Sequence, residues 1–439
     1  MNIFAVFYLK LLKYPFCCGK LRLKNRKGAD IMNSTGLYRR PNIALYRIAQ
    51  GVSLVFAKLV FRRRFIRNEL KDAEGPLVVI ANHEAALDFV NIIGATSRPM
   101  SFVISNSFYN SLPVNGILKR LAVIPKQQFQ TTVHDMKRIK SVIDNGEILV
   151  IYPAGLMCED GISTPIPRAT YKFLKWLGAD VYAARTDGTY FVMPKWTSGM
   201  RSGETYMDIY KLFSKEELKT LSVSEIRAKT EDALLFDAYA EQENRLVKYK
   251  GSDNLEGLEN VLYECPECGT EFSIQVKDKN SLYCTDCGYR ETADEFSFLH
   301  NTGYRGREIR HVSEWSSLIY SRLKERIEAD ENYCLTSDTK IHMIDFKKHK
   351  FAEVGQGEIR LSKEGFVLSG SVNGKEVNLS VSPANIPTLP FGPGRYLEIQ
   401  HGDDIYRCVL SNGRLVMKFI NALKIFYELH NPEPNAVRA

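Results

Sequence analysis

A chain of 439 residues with 44% hydrophobic and 25% charged side chains has room for roughly two to four domains and enough apolar content to bury a core. Its net charge of +8 suits contact with anionic lipid, nucleic acid or phosphorylated substrates and does not choose among them. The nine cysteines include four in a metal-type spacing and an adjacent pair, Cys17-Cys18, which excludes a secreted disulfide framework and points to a reducing, cytoplasmic compartment.

Residues 1–40 read as an N-terminal tail. Ile3 to Phe16 is apolar but carries Lys10 and Lys13; it is too short to span a bilayer and lacks the basic leader and cleavage site of a signal peptide. Met32 precedes a more ordinary start. Residues 41–70 read as a basic amphipathic helix. Arg47, Gln50 and Lys58 recur on one narrow helical stripe and leave Ile48, Val52, Val55 and Leu59 as a broad apolar arc. Arg62, Arg63, Arg64 and Arg67 follow at once. An apolar arc ending in a basic cluster fits a helix lying in an anionic interface, with membrane lipids as partner and the inner face of the membrane as location. A core-packed helix with a solvated charge run is the other reading. No uncharged apolar run of about 18 residues occurs, which argues against a spanning helix.

Residues 71–250 alternate β-branched runs with helical patterns, as an α/β domain with a mixed sheet flanked by helices does. Strands are predicted over 76–81, 100–104, 121–125, 147–152, 180–184 and 206–210, and a helix over 132–145 that stops at Gly146. Gly251-Ser252-Asp253-Asn254 reads as a linker.

Within residues 261–291, Cys265-Pro266-Glu267-Cys268 and Cys284-Thr285-Asp286-Cys287 form two Cys-x2-Cys knuckles 15 residues apart, each followed by Gly. Four thiolates at this spacing make a closed tetrahedral zinc ribbon, structural because no coordination position is left for a catalytic water. A short helix is predicted over 313–328. Residues 335–430 read as an antiparallel β-barrel-like domain with a closing helix, pleckstrin-homology-like in topology. Asn373-Gly374 and Asn412-Gly413 are expected at hairpin tips, reversals at Lys363-Glu364-Gly365 and Gly402-Asp403-Asp404, and Phe419, Leu423 and Phe426 on the buried face of the last helix.

The chemistry is expected just past the 76–81 strand, in Asn82-His83-Glu84-Ala85-Ala86-Leu87-Asp88. A His at a strand end facing an Asp in the first turn of the next helix is a workable general-base pair: the carboxylate holds one ring nitrogen while the other takes a hydroxyl proton. A structural His with a helix-start Asp is the bland alternative for the motif alone. The order of four blocks changes that weighting. Asn-His-x4-Asp, then Leu121-Ala122-Val123-Ile124-Pro125, Ile151-Tyr152-Pro153-Ala154-Gly155 and Phe191-Val192-Met193-Pro194 together resemble the glycerolipid acyltransferase family over roughly residues 41–215. The resemblance implies transfer of an acyl group from acyl-CoA or acyl-carrier-protein, as cosubstrate, to a lysophospholipid hydroxyl such as that of 1-acylglycerol-3-phosphate. His83 would be the base and Asp88 its partner, with Asn82, Tyr152, Pro153 and Gly155 among the substrate-facing residues.

The departures concern phosphate recognition. The family's second block usually carries an Arg and its third a Glu and an Arg; Lys126-Gln127-Gln128 and Ala154, Leu156 and Met157 stand in this stretch. A bidentate Arg fork is not replaced by a point charge. Substitute cations are Lys126, Arg168, Lys172, Arg185 and Lys195, of which Arg168 and Lys195 are the preferred candidates. A phosphate-free acceptor, or an idle lipid-binding protein, are the alternatives. Nucleic acid is not expected, because Glu271, Lys277, Asp278 and Lys279 between the knuckles form no basic stripe.

Overall fold

The computed structural model describes residues 37–432 apart from 112–114, 129–131, 252–254, 303–305 and 403. The readings made on Ile3 to Phe16, Met32 and most of the linker lie outside the described residues.

The six β-branched runs of the first half form strands, and a seventh, unexpected one joins them. In chain order they are β1 (Arg64–Asn68), β2 (Leu77–Ala81), β3 (Met100–Ser105), β4 (Ile124–Lys126), β5 (Ile148–Ile151), β6 (Asp180–Asp187) and β7 (Tyr206–Phe213), arranged β1-β7-β6-β2-β5-β3-β4. β6, β2, β5, β3 and β4 run parallel, whereas β7 is antiparallel to β6. β2 and β5 are buried at every position, as parallel strands covered on both faces must be. The carboxyl ends of five strands therefore share one edge, where loops carrying function emerge in such sheets.

Helix α1 (Ile43–Leu59) is shorter than the 41–70 reading. After it the chain turns at Arg62, with φ of 43°, and Arg64–Asn68 becomes β1 beside β7. The basic cluster is drawn to carboxylates of the same domain: Arg64 reaches Glu204 at 2.6 Å, and Arg67 grips Asp208 through two hydrogen bonds of 2.8 Å. Arg63 donates to the Asn91 carbonyl. The polar stripe on α1 also divides. Arg47 and Lys58 are exposed, but Gln50 is buried because its amide donates to the carbonyls of Ile93 and Thr96. The inward face is small or polar (Ala49, Ser53, Ala57), with Tyr46, while Ile48, Val55 and Leu59 are 55%, 54% and 67% exposed.

Helix α2 (Asp88–Ile92) follows β2, and α3 (Val133–Asp144) is begun by a Thr132–Asp135 capping box and followed by Gly146 at φ of 75°, as expected. Helix α4 (Thr189–Val192) is a single turn after β6.

Strands β8 (Ile274–Lys277), β9 (Ser281–Cys284), β10 (Arg290–Ala293) and β11 (Leu299–Asn301) make a second, antiparallel sheet around the cysteines. Helix α5 (Val312–Ala329) braces it: Trp315 Nε1 donates to Glu264 O, and Arg322 donates to the knuckle carbonyls of Cys265 and Pro266.

The last segment holds β12 (Leu335–Asp345), β13 (Lys350–Leu361), β14 (Phe366–Val372), β15 (Lys375–Val381), β16 (Phe391–Gly392), β17 (Tyr396–His401), β18 (Asp404–Leu410) and α6 (Leu415–His430). The antiparallel order is β15-β14-β13-β12-β18-β17-β16, with Phe419, Leu423 and Phe426 of α6 buried. Asn373 and Gly374 make the expected tight hairpin with φ of 50° and 76°. Asn412-Gly413 does not. It joins β18 to α6, where Asn412 Oδ1 accepts from Arg414 N and a Cβ at Gly413 would come 2.4 Å from the Gly394 carbonyl oxygen. One hydrophobic cluster runs without a break from Leu87, Val90 and Trp196 through Tyr263 and Trp315 to Leu368 and Phe419.

Candidate active site

Past the end of β2, Asn82 turns its side chain onto the neighbouring strand. Its Oδ1 accepts Thr186 N and its Nδ2 donates to Thr186 O, each at 2.7 Å. That amide ties β2 to β6 and fixes where the next residue stands. His83 Nδ1 then lies 2.9 Å from Asp88 Oδ2, with the His side chain 20% exposed and the Asp side chain 1%. The loop wraps Asp88 with donors: the backbone N–H groups of Glu84 and Ala85 reach Oδ2 at 2.8 and 3.0 Å, and the Thr189 hydroxyl lies 2.7 Å from Oδ1. A carboxylate so surrounded by donors is held immobile. With Nδ1 donating to that carboxylate, Nε2 carries the lone pair and is the nitrogen able to take a proton.

The His83 ring packs on Tyr152, with centroids 4.5 Å apart and planes 31° from parallel. Burial and the Asp88 charge push the Tyr152 phenol well above its usual range, so Tyr152 is a neutral wall. Pro153 lines a depression of about 240 Å³ beside His83 and Asn82, together with Ser163, Thr164 and Phe236. Gly155 turns the chain at φ of 73°, and its carbonyl accepts Gln128 Nε2 at 2.6 Å, which draws the second block against the third. Lys126 ends β4 on the same strand-end edge as His83 and Tyr152.

Arg168 and Lys195 do not line that depression. Arg168 is exposed at the start of the Ala169–Leu177 helix. Lys195 is buried: its ammonium lies 3.3 Å from Met157 O and 3.4 Å from the centre of the Phe391 ring, and burial pushes its pKa down to about 8. Cys158 is buried beside the Glu84 carbonyl, and burial raises its thiol well above the usual range, the opposite of an activated nucleophile.

Sequence reasoning missed Thr189 and gave Glu84 no role. Thr189 is 101 positions from Asp88, and only the parallel pairing of β6 with β2 brings its turn there.

The four cysteines meet elsewhere. Their Sγ atoms all lie within 4.8 Å of one another, and the Cys265–Cys287 and Cys268–Cys284 separations are both 3.7 Å. A tetrahedral Zn²⁺ with Zn–S bonds of about 2.3 Å has sulfurs about 3.8 Å apart, so the set fits that ion. Gly269 and Gly288 follow the knuckles at φ of 73° and 79°.

Residues 62–195 match the family model described as Acyltransferase. The crystal structure of the 1-acyl-sn-glycerophosphate (LPA) acyltransferase PlsC from Thermotoga maritima is similar at 17% identity, covering 46% of this chain and 81% of that chain with a TM-score of 0.37. No curated protein matches.

Proposed function

We propose, from the match of residues 62–195 to the Acyltransferase family model, that this chain moves a fatty acyl group from acyl-CoA or acyl-carrier-protein to the hydroxyl of a lysophospholipid such as 1-acylglycerol-3-phosphate. The observation that carries the reading is His83 Nδ1 held 2.9 Å from a buried Asp88 whose oxygens are fixed by two backbone N–H groups and a hydroxyl. His83 Nε2 takes the acceptor's hydroxyl proton as that oxygen attacks the thioester carbonyl. The tetrahedral intermediate collapses with cleavage of the C–S bond, and the imidazolium returns its proton to the leaving thiolate, giving ester and free thiol. Asp88 stays ionised and stabilises the imidazolium. Acyl transfer from radiolabelled acyl-CoA to lysophosphatidate by purified protein tests the assignment; absence of product with every lysophospholipid and both donors favours an idle lipid-binding protein.

For the acceptor phosphate we favour Lys126, which stands on the strand-end edge with its ammonium on the adjacent Gln127 carbonyl at 2.9 Å, over Lys195, which is buried against Met157 O and Phe391. A charged hydrogen bond to phosphate contributes about 1.5–3 kcal/mol, so Lys126→Ala raises the acceptor KM by about 10- to 100-fold and leaves the donor KM alone. Lys195→Ala lowers the melting temperature instead. Steady-state kinetics on lysophosphatidate decide this, and an acceptor KM that follows Lys195 returns the role to that residue. Turnover confined to a phosphate-free acceptor removes both.

Membrane lipid is the partner we assign to α1, on the inner, cytoplasmic side. Its large aliphatics face outward and its small residues inward, with Phe65 and Ile66 exposed just beyond. No described helix is long and apolar enough to cross a membrane. Burying each aliphatic side chain in lipid stabilises by about 1.5–3 kcal/mol. Replacing Ile48, Val55 and Leu59 together by Ser therefore weakens binding to anionic liposomes by at least about 100-fold in sedimentation. Equal sedimentation of variant and parent would assign α1 another role. The cysteine module is assigned as a structural zinc ribbon, and the last antiparallel sheet with α6 as a pleckstrin-homology-like, barrel-like domain.

A further inference from the structure

Glu84 is the one acid of the catalytic loop that the reaction above leaves unused, and it is 1% exposed. Its Oε2 accepts the Tyr190 N–H at 2.9 Å and also lies 2.9 Å from Thr189 Oγ1; Oε1 is 3.4 Å from Asn82 Nδ2. Thr189 Oγ1 is at the same time 2.7 Å from Asp88 Oδ1. A hydroxyl carries a single hydrogen. With both acids ionised, one of these two short contacts would set lone pair against lone pair, so a second proton belongs in the row.

Asp88 is the poorer place for it, because Oδ2 already receives two backbone N–H groups and the His83 Nδ1–H. The other titratable groups facing Glu84 are neutral or negative: Asp187 from the end of β6, the Cys158 thiol from the third block and the Tyr249 phenol. Arg185, the cation whose charge Glu84 feels, is paired with Asp187 at 3.1 Å and Glu241 at 2.9 Å. Burial, then the like charges of Asp187 and Asp88, push the Glu84 carboxyl well above the usual range.

We propose that Glu84 is protonated at neutral pH and is a positioning residue: its O–H donates to Thr189 Oγ1, Thr189 donates to Asp88 Oδ1, and Asp88, kept ionised, receives the His83 Nδ1–H. This rests on the His83–Asp88 reading above. The row of hydrogen bonds points one way, toward Asp88, and spreads its charge. His83 is thereby kept less basic than a bare Asp88 would make it, so that its Nε2 lone pair remains available.

Two measurements test this without reading acyl transfer, so a protein that proves idle still answers them. In infrared difference spectra of the full chain against Glu84→Gln at neutral pH, a protonated-carboxyl C=O band, sensitive to deuterium, should be lost in the variant. Loss of carboxylate bands alone overturns the proposal. In NMR of histidine-labelled protein, with His83→Ala assigning the signal, Thr189→Val should strengthen proton binding at His83 by about tenfold, the scale of one charged hydrogen bond. Thr189→Ser should restore the parent titration. A His83 titration that does not move in folded Thr189→Val also overturns the proposal, and if that variant does not fold, the infrared result alone decides.

Discussion

His83→Ala protein, purified and folded, is expected to lose at least about 10²-fold in acyl transfer, the contribution a positioned general base makes. The effect should fall on kcat, because the ring touches the reacting proton and the acceptor is held by other groups. Asp88→Asn should cost less. An asparagine there can keep its carbonyl oxygen toward the N–H groups of Glu84 and Ala85 and turn its amide toward Thr189, so the loop survives while the imidazolium loses its counter-charge. Near-normal turnover by His83→Ala would sink the mechanism outright. Equal losses in the two folded variants would mean that His83 and Asp88 act as a single unit.

Zinc is expected at one ion per chain, and its removal should unfold the 261–291 module. The free energy of structural zinc binding in small ribbons is largely their folding free energy, on the order of 10–16 kcal/mol. The loss should centre on the knuckles and the short strands, which are three or four residues long, while Tyr263 and Leu282 keep their packing on the shared cluster. Cys265→Ser should lower both zinc content and melting temperature. Elemental analysis that found no zinc, or iron in a redox-active cluster, would overturn the assignment.

Much of this architecture was legible because local patterns and tertiary packing agree. Leu77–Ala81 and Ile148–Ile151 are uninterrupted aliphatic runs, and such runs are stable only as buried parallel strands. Thr132, Asp135 and Gly146 announce both ends of α3 with groups that act over one turn. The cysteine spacing and His83-x4-Asp88 were visible for the same reason, since each pair is brought together by a few residues of backbone. What was hidden depends on distance. Arg64–Asn68 looked like the end of a basic helix because its partners, Glu204 and Asp208, lie about 140 positions away. Gln50 looked solvated until Ile93 and Thr96 offered their carbonyls. Asn412-Gly413 carried a strong hairpin signature, yet its glycine answers a close approach by Gly394. Thr189, the residue with the greatest bearing on Asp88, belongs to no motif at all.

Leu87 and Val90 flank Asp88, and they belong to the same hydrophobic cluster as Tyr263 beside the first knuckle, Trp315 of α5 and Phe419 of the last helix. Gly257 sits so close to the Trp196 carbonyl that any side chain there would collide with it. The boundaries drawn from composition are therefore not seams. Cutting the chain near residue 251 would divide that cluster and bare apolar side chains on both pieces. Such parts are inherited together: a lineage that discarded the ribbon would have to re-cover the apolar side chains that its loss exposed.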